Sequence, residues 1–175
     1  MAESQSPSGP QQANAIGFAE IVGDGVAAGL IGASAVALWF LAVDAALREA
    51  LFTPSLVASA LLRGTPATPD QAIDLSMVAA FTALHSLAFI AFGIAASFVV
   101  DQFRRTPDLP LISIGLFLAL EGGFVTATKL LVPDVAEVIW HGFIVAGNVF
   151  AALGMGFYLH DWQRHPEDAA AATPR

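Results

Sequence analysis

The chain contains no cysteine, and only 13% of its residues are charged. The absence of cysteine excludes disulfides, thiolate metal sites, iron–sulfur clusters and cysteine nucleophiles. Soluble domains carry about 25% charged residues. Because 56% of this chain is hydrophobic, a soluble fold would lack the polar surface that keeps it dispersed, and the composition indicates a membrane protein.

Basic residues are also scarce, with 7 Lys and Arg against 15 Asp and Glu, for a net charge of −8. Proteins that bind nucleic acid use clustered Lys and Arg against phosphates, so we expect no nucleic-acid partner. The sequence has no glycine-rich phosphate loop, no H-E-x-x-H and no G-x-S-x-G. We therefore predict that the protein is not an enzyme and that its main partner is the lipid bilayer.

The first fifteen residues contain no Lys or Arg, so the basic region of a secretory signal is missing. Four long apolar runs follow, and each approaches the ~20 residues that a bilayer-spanning helix needs. The sequence predicts an all-α membrane protein, a four-transmembrane-helix bundle over 23–162, with disordered tails at 1–22 and 163–175. The predicted spans are 25–43, 75–100, 110–131 and 138–159.

The segment between spans 1 and 2 is too polar to cross a membrane. Within it, Thr53 suits an N-cap, Pro54 suits the first helical position, and Gly64 suits the end of a helix. This pattern predicts a short interfacial helix of about ten residues.

Span 1 carries small residues at every fourth position, a pattern that lets a second membrane helix approach closely. These residues are Gly25, Gly29, Ala33 and Ala37.

Each predicted span carries one polar side chain about ten residues from the same end, hence about 15 Å deep and near the bilayer centre. These candidate residues are Ser34, His85, Glu121 and Asn148. A carboxylate at this depth needs a partner or a proton. We expect His85 to partner Glu121, with Asn148 and Ser34 completing a buried polar layer. The layer has either a structural role, as hydrogen-bonded contacts between helices, or a functional one.

Paired histidines on membrane helices are common haem ligands. Here His85 is predicted at mid-depth, whereas His141 follows Trp140 near the membrane surface, about 10 Å away along the bundle axis. One haem does not readily bridge this offset, so haem ligation by His85 and His141 is disfavoured and the sequence assigns no cofactor or metal.

Several stretches, taken together, resemble small uncharacterised bacterial four-span membrane proteins. They are GLIGASAVALWFLAVDA, LHSLAFIAFG, LALEGGF and GNVFAALGMGFYL, and they lie within Gly25 to Pro166. The resemblance implies four spans and a bacterial inner membrane, and it implies no activity. The arginines that flank the spans favour cytoplasmic termini, because positive loops stay inside.

Three hypotheses for function follow from these patterns. The first is an accessory or scaffolding subunit of a larger membrane complex, which the small-residue faces and the lack of catalytic motifs favour. The second is a small proton-coupled transporter that uses Glu121 and His85. The third is a membrane protein that binds a lipid, a quinone or a pigment in the bundle.

Overall fold

The computed structural model describes residues 10–102 and 109–171. Six helices account for most of them, in the order α1 Pro10–Leu47, α2 Phe52–Arg63, α3 Leu75–Gln102, α4 Leu109–Leu131, α5 Val135–Val138 and α6 His141–Ala171. Four helical segments are long and apolar enough to cross a membrane, namely Gly17–Leu47, Leu75–Gln102, Leu109–Leu131 and His141–Asp161. This confirms the predicted fold class, including the short helix between the first two spans.

The helices extend further than the sequence predicted at both ends of the bundle. Residues 10–22 were expected in the N-terminal tail, but they belong to α1. Residues 163–171 were expected in the C-terminal tail, but they continue α6. Both stretches are rich in Ala, Gln and Glu, which favour helix and allow it to continue past the apolar span. The rest of the predicted tails, 1–9 and 172–175, lies outside the described residues.

α1 and α3 pack against each other through glycines. A methyl group on Gly25 would lie 2.5 Å from Ile94 Cα, and one on Gly29 or Gly93 would overlap the backbone of the facing helix. Because Gly29 meets Phe89 and Gly25 meets Gly93, each four-residue step along α3 matches a four-residue step back along α1. The helices are therefore antiparallel, with backbones in direct contact.

The small-residue stripe of span 1 is confirmed at three of its four positions. Gly25, Gly29 and Ala33 are buried, whereas Ala37 is exposed. Two polar side chains of α3 add hydrogen bonds along this seam. Ser97 Oγ donates to the Ile21 carbonyl at 2.9 Å, and His85 Nε2 lies 3.2 Å from the Ala33 carbonyl.

The other side of α1 packs on α6, where Trp39 Nε1 donates to the Phe143 carbonyl at 2.8 Å. α4 packs mainly on α6, so the four long helices follow the order α3, α1, α6, α4. A buried apolar cluster joins them, formed by Ala28, Ala96, Val100, Leu116, Ala152, Met155 and Leu159.

The two connections at one end of the bundle, 48–74 and 132–140, pack together. Phe52 and Leu56 of α2 share a buried cluster with Val135 of α5 and with Val132 and Ile139, which lie on either side of α5. We call this the α2–α5 end. α1 begins and α6 ends at the opposite end.

Of the three residues predicted to mark the ends of α2, only Gly64 has the expected position, and Pro54 is the third residue of the helix and not the first. Gly64 ends the helix with a φ of 64°, as expected. Thr53 is not the N-cap, because α2 begins at Phe52 and the cap position is Leu51, at a φ of 72°. Thr53 instead donates its backbone N–H and its hydroxyl to the carboxylate of Asp44, each at 2.7 Å. A side chain from α1 therefore fixes the start of α2.

Candidate functional site: a polar cluster between α4 and α6

Glu121 is the carboxylate around which the candidate site is built. It lies on α4, and its two oxygens contact two different side chains of α6. Asn148 Nδ2 donates to Oε2 at 2.9 Å. His141 Nε2 lies 2.9 Å from Oε1.

The spacing of the two α6 residues explains why both reach one carboxylate. His141 and Asn148 are seven residues apart, which is two helical turns, so they lie on the same face of α6 about 10 Å apart along its axis. His141 is the first residue of α6 and Asn148 is buried inside the bundle. The Glu121 side chain occupies the interval between them.

The two contacts differ in quality. The bond from Asn148 has hydrogen-bond geometry and comes from a side chain that is 6% exposed. Oε1 of Glu121 is buried and accepts no aligned hydrogen bond, although His141 Nε2 is close to it. The His141 contact is therefore mainly electrostatic when the imidazole carries a proton.

The site is open on the His141 side. The side chain of His141 is 58% exposed and that of Glu121 is 18% exposed. Beside the carboxylate, a methyl group on Gly122 or Gly123 would meet no atom within 4 Å. The pair therefore has an accessible outer member, His141, and a less exposed inner member, Glu121, which the neutral amide of Asn148 also holds.

His85 does not partner Glu121, and this expectation was wrong. Its ring lies on α3, close to the Ala33 carbonyl and between the rings of Phe81 and Phe89, whose centroids are 5.1 and 4.7 Å away. α3 packs mainly on α1 and α4 mainly on α6, so the two residues belong to opposite sides of the bundle. Equal depth did not imply proximity.

Ser34 also lies outside the cluster. It is exposed, whereas its neighbour Ala33 is buried against α3. One residue turns a helix by about 100°, so the residue after the packed stripe faces away from it. Of the four predicted residues, the structure thus joins Glu121 and Asn148 and leaves His85 and Ser34 elsewhere.

His141 is the partner that the sequence prediction missed. Its position as the first residue of α6 puts its backbone near the end of the span, and the imidazole side chain extends from there to Glu121. The sequence feature that could have predicted this contact is the seven-residue spacing from His141 to Asn148, which puts both residues on one face of α6.

The two histidines considered for haem have separate surroundings. His85 contacts α1 and His141 contacts α4. Within residues 10–102 and 109–171, no group of three or more His, Asp or Glu side chains could hold a metal ion.

A second carboxylate lies towards the opposite end of the bundle. Tyr158 of α6 donates its hydroxyl to Asp24 Oδ1 of α1 at 3.1 Å, and Asp24 Oδ2 is buried without a hydrogen-bond partner. Between this pair and Glu121 lie buried apolar side chains, including Leu116 and Met155. The two carboxylates therefore form separate polar sites.

Comparison with known proteins adds no assignment for these residues. The sequence matches no protein-family model, and neither a curated protein nor a solved structure matches it.

Proposed function

We propose that this four-span membrane protein is an accessory subunit of a larger membrane complex, bound to its partner through the outward face of α4. The observation that carries the proposal is the one-sided packing of α4. Only 11% of its span is buried, compared with 44% of the α6 span. A helix held on one side has a free face for another transmembrane helix.

The residues on the free face suit close helix packing. Gly115, Ala119, Gly122 and Thr126 are all exposed, and their alternating spacing of four and three residues places them in one stripe. A methyl group on Gly115 or Gly122 would meet no atom within 4 Å. Small residues at this spacing let membrane helices approach closely, which supports a transmembrane helix of another chain as the partner.

Purification at native expression level in a mild detergent tests the proposal. We expect a partner protein to co-purify, and we expect Gly115→Leu to remove it while the bundle stays folded. Gly23→Leu is the matched control, because Gly23 on α1 also has open space around it and lies away from the stripe. A wild-type protein that purifies alone, or a partner that survives Gly115→Leu, would contradict the proposal.

A small proton-coupled carrier is the second candidate function, and the contact between Glu121 and His141 favours it. Intramembrane carboxylates with titratable partners are typical of proton-coupled transport. In this version His141 replaces His85 as the partner of Glu121. Proteoliposomes with an internal pH dye test it: proton flux that Glu121→Gln abolishes and His85→Gln preserves supports the carrier. Absence of flux from folded protein rejects it.

The orientation that we propose has the termini in the cytoplasm of a bacterium. By sequence position, one side of the membrane would have Arg104, Arg105, Arg164 and Arg175, and the other would have Arg48, Arg63 and Lys129. The larger number of arginines on the terminal side favours cytoplasmic termini. A C-terminal reporter that is active only in the cytoplasm tests the orientation.

A further inference from the structure

We propose that Glu121 and His141 form a proton-binding site that exchanges protons with the aqueous phase at the α2–α5 end only. The inference does not require the assembly proposal, because it concerns the interior of the bundle and not the free face of α4. It also differs from the carrier, which must exchange protons with both sides.

Access from the α2–α5 end follows from the position of His141. The residue begins α6, directly after Trp140, which is 69% exposed at the same end. Its own side chain is 58% exposed, yet Nε2 lies 2.9 Å from the carboxylate of Glu121. An imidazole that contacts both an accessible surface and a buried acid is suited to carry a proton between them.

Access from the other end is blocked by apolar side chains. Ser113 of α4 faces Gly156 of α6, eight residues along each helix from the contact between Glu121 and Asn148. Eight helical residues span about 12 Å, so Ser113 is far beyond hydrogen-bond distance of Glu121. Leu116, Ala152 and Met155 fill this interval and are at most 7% exposed.

Few other charges act on the site. From α6, His141 and the neutral Asn148 face the carboxylate. Lys129 of α4 and Glu137 of α5 are both exposed towards the α2–α5 end. Among the described residues, His141 is the basic side chain that lies within 4 Å of a Glu121 oxygen. The proposed site therefore consists of these two groups.

A lipophilic carbodiimide reports whether Glu121 is protonated. The acid O–H adds across one C=N bond, so the carboxyl oxygen bonds to carbon, the proton goes to nitrogen, and acyl migration gives a stable N-acylurea. The carboxylate lacks the required proton. Because dicyclohexylcarbodiimide enters the membrane from either side, its yield on Glu121, measured by mass spectrometry, depends on protonation and not on the side of addition.

The experiment uses the full chain in proteoliposomes, with pH set independently inside and outside. Modification of the exposed Glu137 by an impermeant carbodiimide and an amine identifies vesicles with the α2–α5 end outward. Lowering the pH at that end is expected to raise the yield on Glu121 by about tenfold per unit until it saturates. Lowering it at the other end is expected to leave the yield unchanged. Equal response to both sides, response to the other side alone, or no response would overturn the proposal.

Variants identify the partner group. His141→Gln removes the side chain that joins Glu121 to the accessible surface, so lowering the pH at the α2–α5 end is expected to leave the yield on Glu121 unchanged in this variant. His85→Gln is the matched control and should match the wild type, because His85 contacts α1 instead. If His141→Gln and the wild type give equal yields at the lowered pH, His141 has no part in the site. The measurement on the wild type still decides the sidedness if a variant fails to fold.

Discussion

Asp44 determines how the chain turns from α1 into α2. The side chain is completely buried, and it accepts two hydrogen bonds from Thr53 while Arg48 Nε lies 3.3 Å away. Asp44→Ala would leave the buried donors of Thr53 unpaired, and we expect a loss of about 3 kcal/mol in unfolding free energy. Unfolding by SDS in mixed micelles measures it. Asp70→Ala, in the exposed loop, is the control and should change stability by less than about 0.5 kcal/mol.

The candidate site shows what the sequence could and could not predict about single residues. Depth along a helix follows from counting, and it correctly placed Glu121 and Asn148 together. The neighbours of a helix do not follow from counting, so the expected contact between His85 and Glu121 was wrong. Counting also ignores how far a long side chain extends along the bundle axis, and this extension explains the unexpected contact between His141 and Glu121.

At the scale of elements, the glycine seam between α1 and α3 should be the least tolerant part of the bundle. Gly29→Ala would place a methyl group 2.7 Å from Ile90 Cα and against the Phe89 carbonyl, so the helices must separate. We expect a loss of about 2 kcal/mol in unfolding free energy. The matched control is Gly23→Ala in the same helix, where the methyl group meets nothing within 4 Å. Equal losses in the two variants would show that the seam is not tightly packed.

The start of α3 should depend on pH through Asp74. The carboxylate accepts hydrogen bonds from Ser76 and from the guanidinium of Arg63, and these hold the pKa of Asp74 well below its ordinary value of 3.8. A depressed pKa means that the carboxylate stabilises the fold above pH 3.8 and that this contribution is lost as the pH falls further.

The variant Asp74→Asn isolates that contribution. Above pH 5 we expect the wild type to have the higher melting temperature, and we expect the difference to shrink steadily below pH 3.8. Thermal unfolding of both proteins across this range measures it. A difference that is constant with pH would mean that the charge of Asp74 does not contribute.

The elements themselves were largely predictable, because an uninterrupted apolar run of span length has few structural alternatives. The helix ends were not, since α1 and α6 continue through polar residues that hydropathy assigns to tails. The N-terminus of α2 was missed for another reason. Thr53 donates to Asp44, which lies nine residues earlier in the chain, whereas capping rules consider only neighbouring residues.

For the molecule as a whole, the order of the helices makes the packing of α4 less stable than the packing of α1 and α3. α1 contacts both α3 and α6, whereas α4 rests mainly on α6. The α4–α6 contact also contains Ser113 Oγ, which is buried without a hydrogen-bond partner. Fewer contacts and an unpaired hydroxyl both lower the free energy needed to open this interface. The protein should therefore lose α4 before it loses the α1–α3 pair.

The absence of native cysteine allows this order to be tested with one thiol at a time. Ser113→Cys places a thiol at the α4–α6 interface, and Ala96→Cys places one in the core on α3, at sites that are 8% and 7% exposed. Titration with SDS in the presence of a maleimide should label the Ser113→Cys protein at a lower SDS fraction than the Ala96→Cys protein. Each variant needs an unfolding midpoint within experimental error of the wild type, so that the thiol reports opening without causing it. Labelling of both thiols at the same SDS fraction would contradict the prediction. It would mean that α4 separates from the bundle no more easily than α3 does.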